Sequence, residues 1–145
     1  MFKRVLIANR GEIAIRIARA AQGLGVGTVS LHAPADALSL HTRVTDMTVA
    51  IGAANDPVGA YLDIEAIVAA ARESGCDCVH PGYGFLSENA EFARRCLAED
   101  LVFIGPRPET LALFGDKVQA KALARSQSVP IVPGSPGPVA TAADA

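Results

Sequence analysis

The chain has 145 residues, half of them hydrophobic and 19% charged, with a formal net charge of -2. That is the composition of one folded domain with its own core, and it excludes a disordered tail. Basic residues are neither in excess nor grouped, which argues against a nucleic-acid surface, and no apolar run approaches the roughly 20 residues of a membrane span.

Arg4 to Ala8 is a short apolar run that stops at Asn9-Arg10. It is too brief for a signal peptide's apolar region and reads as a first strand. Ile13, Ala14, Ile17, Ala20, Ala21 and Leu24 then recur at helical spacing, so Ile13, Ala14, Ile17, Ala20 and Ala21 are expected to bury against a sheet. Asn9 followed by Glu12 has the capping-box pattern, and Gly25 and Gly27 close the helix. Arg16 and Arg19, three apart, share another face of it.

Thr28 to His32 reads as a second strand, Ala37 to Thr45 as one or two helical turns, and Asp46 to Ile51 contains a third strand. Asp63 opens a helix carrying Ile64, Ile67, Val68 and Ala71, which Gly75 closes. Asp77 to His80 is a fourth strand and Pro81-Gly82-Tyr83-Gly84 a turn. Ser87 is the expected cap of a helix to about Ala98, with Glu88 and Glu91 near its positive end. Leu101 to Ile104 is a fifth strand. A short helix spans Glu109 to Phe114, and another runs from Asp116, with Gln119 three residues on, to about Ser126. Val129 to Val132 is a candidate sixth strand.

Strands alternating with helices predict a three-layer α/β/α fold on a mainly parallel, doubly wound, Rossmann-like sheet of about five strands. Ligands gather at the carboxyl ends of such strands, where the loops Asn9-Arg10-Gly11 and Pro81 to Leu86 fall. The domain is expected over 1–132. The turn-rich run 133–145 reads as a linker toward an absent downstream domain.

The motifs carry unequal weight. A dinucleotide fingerprint needs three glycines at fixed spacing, and only Gly11 is present, which makes that reading weak. Gly115-Asp116-Lys117 is no P-loop, although a lysine in the first turn of a helix can meet a phosphate. The stretch His80 to Asn89 is the most unusual: its glycines permit close backbone approach, and Tyr83 offers a hydroxyl on a flat ring. A shaped ligand loop and a rigid turn with a packed tyrosine fit it about equally. Cys76, Cys78 and Cys96 lack the partners of a metal site and read as free thiols in a reducing compartment, with Cys78 in a buried strand.

Val5 to Ala14, His80 to Asn89, Phe103-Ile104-Gly105-Pro106, Gly115-Asp116-Lys117 and Val132-Pro133-Gly134-Ser135 together resemble the biotin carboxylase family, in that family's order and spacing. The resemblance implies a pre-ATP-grasp domain, the N-terminal part of a ligase. In the family, the downstream ATP-grasp region binds Mg-ATP, bicarbonate is phosphorylated, and biotin on a carrier is carboxylated. Lys117 matches the lysine that contacts ATP. Gly82, Tyr83 and Gly84 match a loop bordering the biotin and bicarbonate pocket. Arg16 and Arg19 match the dimer interface, where the family often has an acid in place of Gly23. Family members typically carry more charge where this chain has Ala35-Asp36-Ala37-Leu38.

No catalytic residue and no metal ligand is expected in this fragment, which alone should bind none of ATP, Mg²⁺ or biotin tightly. The implied partners are the downstream ATP-grasp and C-terminal biotin carboxylase regions, a biotin carrier, a carboxyltransferase and, as a homodimer option, a second copy of the chain. The implied compartment is a bacterial-type cytoplasm, with a mitochondrion as the alternative. The alternatives are a non-catalytic interaction or dimerisation module and, less well supported, a dinucleotide-binding domain.

Overall fold

A computed structural model describes residues 1–53 and 55–133. Among these residues five strands form one sheet: β1 (Arg4–Ile7), β2 (Gly27–His32), β3 (Met47–Ala50), β4 (Cys78–His80) and β5 (Val102–Phe103). Their order is β3-β2-β1-β4-β5, and every pairing is parallel. The chain therefore winds outward from β1 in both directions, and the strand order reverses between β1 and β4.

Among the described residues six α-helices connect or follow the strands: α1 (Gly11–Gly23), α2 (His41–Val44), α3 (Ile64–Glu73), α4 (Ala90–Ala98), α5 (Pro108–Gly115) and α6 (Lys117–Ser126). β1 shows why both faces of the sheet are covered. Leu6 and Ala8 point into a core with Ile67, Val68, Phe92 and Phe103. Val5 and Ile7 point into a second core with Ala14 and Ala18 of α1. A strand buried on both faces reads as a continuous apolar run, which is what Val5 to Ala8 is. Phe92 and Phe103 meet edge to face at 5.7 Å.

The structure revises several boundaries. Asp63 does cap α3, accepting from the Ala66 amide, and Asp116 caps α6, accepting from Val118 and Gln119. Asn9 does not cap α1: Arg10 takes that position without a side-chain bond, because the Asn9 carboxamide is engaged elsewhere. Ser87 does not cap α4 either. The cap is Asn89, bonded to the Phe92 amide at 2.9 Å, since Gly84 and Phe85, both at positive φ, turn the chain before a helix can start. Gly27 opens β2 rather than ending α1. In α1, Ala14 and Ala18 are the buried residues, whereas Ala20 is exposed beside an apolar groove.

Val129 to Val132 forms no strand, and Val132 is 79% exposed. α6 buries none of its residues and packs on α5. The expected linker lies, from residue 134 onward, outside the described residues.

Candidate functional site

The reversal between β1 and β4 is where an open parallel sheet offers a crevice. Here a side chain fills it. Asn9 follows β1, is 2% exposed, and donates from Nδ2 to the carbonyls of Pro81 (2.8 Å) and Tyr83 (2.9 Å). Its Oδ1 accepts the Arg10 amide at 2.9 Å. Gly82 lies between the two tied carbonyls at φ +69, and a Cβ there would stand 2.7 Å from Asn9 Nδ2 and 2.8 Å from Ile13 Cγ2. Only glycine fits. The Gly82 amide donates to His80 Nδ1 at 3.0 Å, which puts the ring proton on Nε2. Burial holds the His80 pKa below its ordinary value, in keeping with a neutral acceptor.

The next residue anchors a second tie. Arg10 grips both oxygens of Asp36, with Nε to Oδ2 at 2.6 Å. Tyr61 donates its hydroxyl to Asp36 Oδ2 at 2.9 Å and accepts the Ala33 amide at 3.1 Å. Ser39 adds a bond at 3.2 Å. Chiefly because Arg10 donates to it, the Asp36 carboxyl is held at about 2. Burial, reinforced by Asp36, pushes the Tyr61 phenol up to about 12. The Tyr61 ring meets Phe85 at 5.3 Å, so this network reaches the far end of the Tyr83 loop. Gly11, at φ +58, donates to His41 Nδ1 at 3.4 Å, and His41 Nε2 bonds the Leu31 carbonyl at 3.1 Å. With Asn9 in the crevice and Arg10 committed to Asp36, the first strand-turn-helix has neither the glycines nor the room for a pyrophosphate.

The braced loop walls a pocket of about 500 Å³. Gly82, Tyr83, Ser87 and Glu88 form one side, and Thr110, Leu111, Phe114 and Gly115 of α5 the other. Its size suits a small ligand. Tyr83 is 79% exposed. Gly84 turns the chain at φ +71 without forming part of the wall, and Lys117 lies two residues past Gly115, exposed at the first position of α6.

Arg16 and Arg19 lie elsewhere. Arg16 pairs with Glu12 at 3.5 Å and borders an apolar groove of about 490 Å³ with Phe2, Ile17, Ala20, Leu24 and Ile104. Arg19 is exposed. The three cysteines are free and buried, and burial pushes Cys76 up to about 11 and Cys78 and Cys96 up to about 12. Such thiols are unreactive. Among the described residues, no three side chains of the metal-ligating types stand together, and no helix is long and apolar enough to cross a membrane.

Sequence reading missed the reach of Asn9, the anchoring role of Asp36 and the α5 wall. The first two depend on partners 25 or more positions away. Only the unusual Asn-Arg-Gly-Glu run pointed to them.

Residues 1–111 match the family described as the biotin carboxylase N-terminal domain. The chain is 51% identical over 139 residues to the biotin carboxylase of Allochromatium vinosum, covering 96% of this chain and 31% of that protein. It is 50% identical over 139 residues to the pyruvate carboxylase of Bacillus subtilis, covering 96% of this chain and 12% of that protein. Among solved structures, the biotin carboxylase domain dimer of the Hydrogenobacter thermophilus 2-oxoglutarate carboxylase, in complex with MgADP, ADP and bicarbonate, superposes with a TM-score of 0.94. That likeness is at 42% identity, over 99% of this chain and 31% of that one. The chain thus spans less than a third of each of these relatives.

Proposed function

This chain belongs to the biotin carboxylase N-terminal domain family, and on that footing we propose that it is the N-terminal module of an ATP-dependent carboxylase that loads bicarbonate onto carrier-bound biotin. The observation that carries the reading is the pocket at the carboxyl edge of the sheet, with the braced Tyr83 loop on one side and α5, running into Lys117, on the other.

Gly82, Tyr83 and Gly84 border the biotin and bicarbonate site in this reading. Lys117 supplies an ammonium to ATP phosphate from the first position of α6. The residues that hold Mg²⁺ and do the chemistry belong to a downstream ATP-grasp region. We take 1–132 as the module and 133–145 as the linker to that region. The other partners are the C-terminal biotin carboxylase region, a biotin carrier and a carboxyltransferase. Arg16 and Arg19 belong to a contact with a second copy, and the apolar groove beside Arg16 supports that assignment. Three buried thiols suit a reducing cytoplasm.

The test is transfer of labelled bicarbonate carbon to free biotin by an intact polypeptide that carries this chain. ATP-dependent formation of labelled carboxybiotin is expected. No labelled product under saturating ATP and Mg²⁺ overturns the reading.

A further inference from the structure

We propose that Asn9 is a positioning residue for substrate: its carboxamide, wedged between the ends of β1 and β4, sets where Tyr83 stands at the pocket. The inference rests on the reading above, that the Tyr83 loop borders the biotin and bicarbonate site.

Every polar atom of the Asn9 side chain is used. Both Nδ2 hydrogens go to loop carbonyls, Pro81 and Tyr83, and Oδ1 accepts the Arg10 amide. The demand is for two donors and one acceptor on a short planar group, and asparagine is the side chain that meets it. Aspartate offers only acceptors and would face two carbonyl oxygens. Serine is too short to span both. Gly82 interlocks with the amide, because a Cβ there has no space, and its own N–H is held by His80. Three consecutive loop residues therefore have fixed backbone positions.

The side chain they present is not packed. Tyr83 is 79% exposed and lines the pocket. A tie that served stability alone would secure a buried side chain. Here a buried amide immobilises the backbone beneath an exposed, ligand-facing one. Displacing the loop would cost orientation at the site, and small misplacements of positioned groups are expensive.

The test uses the intact carboxylase, with ATP and free biotin as separately varied substrates. For Asn9→Asp, kcat/KM for biotin is expected to fall roughly tenfold to a hundredfold, while KM for ATP stays within about twofold. Tyr83→Ala is measured alongside. Since Asn9 acts through Tyr83, the double variant should be no worse than Tyr83→Ala. Unchanged biotin kinetics in Asn9→Asp, equal losses for ATP and biotin, or losses that simply add to those of Tyr83→Ala would each overturn the inference while leaving the reading of the loop intact. Unchanged biotin kinetics in Tyr83→Ala would instead remove the reading itself, and this inference with it. If Asn9→Asp does not fold, Asn9→Ser, which removes the reach without adding charge, gives the same comparison.

Discussion

Replacing Asp36 with asparagine isolates the tie that holds Arg10. Asp36 is 6% exposed, and its carboxyl receives Arg10 twice, Tyr61 and Ser39. Its pKa is about 2 against an ordinary 3.8, a gap that corresponds to roughly 2.4 kcal/mol at about 1.36 kcal/mol per pH unit. The Arg10 side chain is 49% exposed, so water recovers part of the loss, and about 1.5–2 kcal/mol is expected at pH 7. For a chain of this size that lowers Tm by about 3–8 °C. The sign with pH follows from linkage. A depressed carboxyl contributes fully above its unfolded value and loses that contribution as pH falls toward its folded value. At pH 3 the contribution should be about 1 kcal/mol smaller than at pH 7. Urea unfolding of wild type and Asp36→Asn at both pH values reads this directly. A gap that is absent at pH 7, or that is equally large at pH 3, would refute the charge-based account and leave only packing.

In the intact carboxylase, Lys117→Ala should weaken ATP binding about tenfold to a hundredfold, the loss of one charge-assisted bond to phosphate; an unchanged Kd for ATP counts against the role. His41 is buried with both ring nitrogens bonded, and burial holds its pKa below 6.5. The folded state therefore binds fewer protons than the unfolded one, so stability is complete above pH 6.5 and falls as pH drops below it. NMR titration of the ring should give a midpoint below the ordinary histidine value, and a midpoint at or above that value would contradict the assignment. Arg16→Glu with Arg19→Glu should reduce any self-association seen by sedimentation, because both are exposed on α1 and Arg16 borders the apolar groove. A tight dimer that survives both substitutions and high salt uses another surface.

The parts of the fold legible in the sequence were those fixed by local chemistry. Val5 to Ala8 announces a strand buried on both faces, and Asp63 and Asp116 cap helices through amides two or three residues away. Arg16 and Arg19 share an exposed face because helical geometry puts positions three apart together. Failures came where a distant partner won. Asn9 has a capping pattern, yet its amide bonds residues 72 and 74 positions later. Asp36 drew no role from the sequence and is the anchor of Arg10. Val129 to Val132 has strand-like residues but no neighbouring strand, and β preference without a partner forms nothing. Gly82 and Tyr83 line the pocket at the sheet's carboxyl edge and Gly84 does not, whereas the opposing wall from α5 depends on tertiary packing that no local pattern encodes.

On the proposed function this chain supplies part of a carboxylase site, and the catalytic groups lie on a downstream region. Phosphate release from ATP, with and without biotin plus bicarbonate, tests it most directly when the pure 145-residue protein and the intact polypeptide are assayed side by side. Biotin- and bicarbonate-dependent release is expected from the intact polypeptide and none from the folded 145-residue protein. Dependent release from the 145 residues alone, or none from the intact polypeptide, would contradict it.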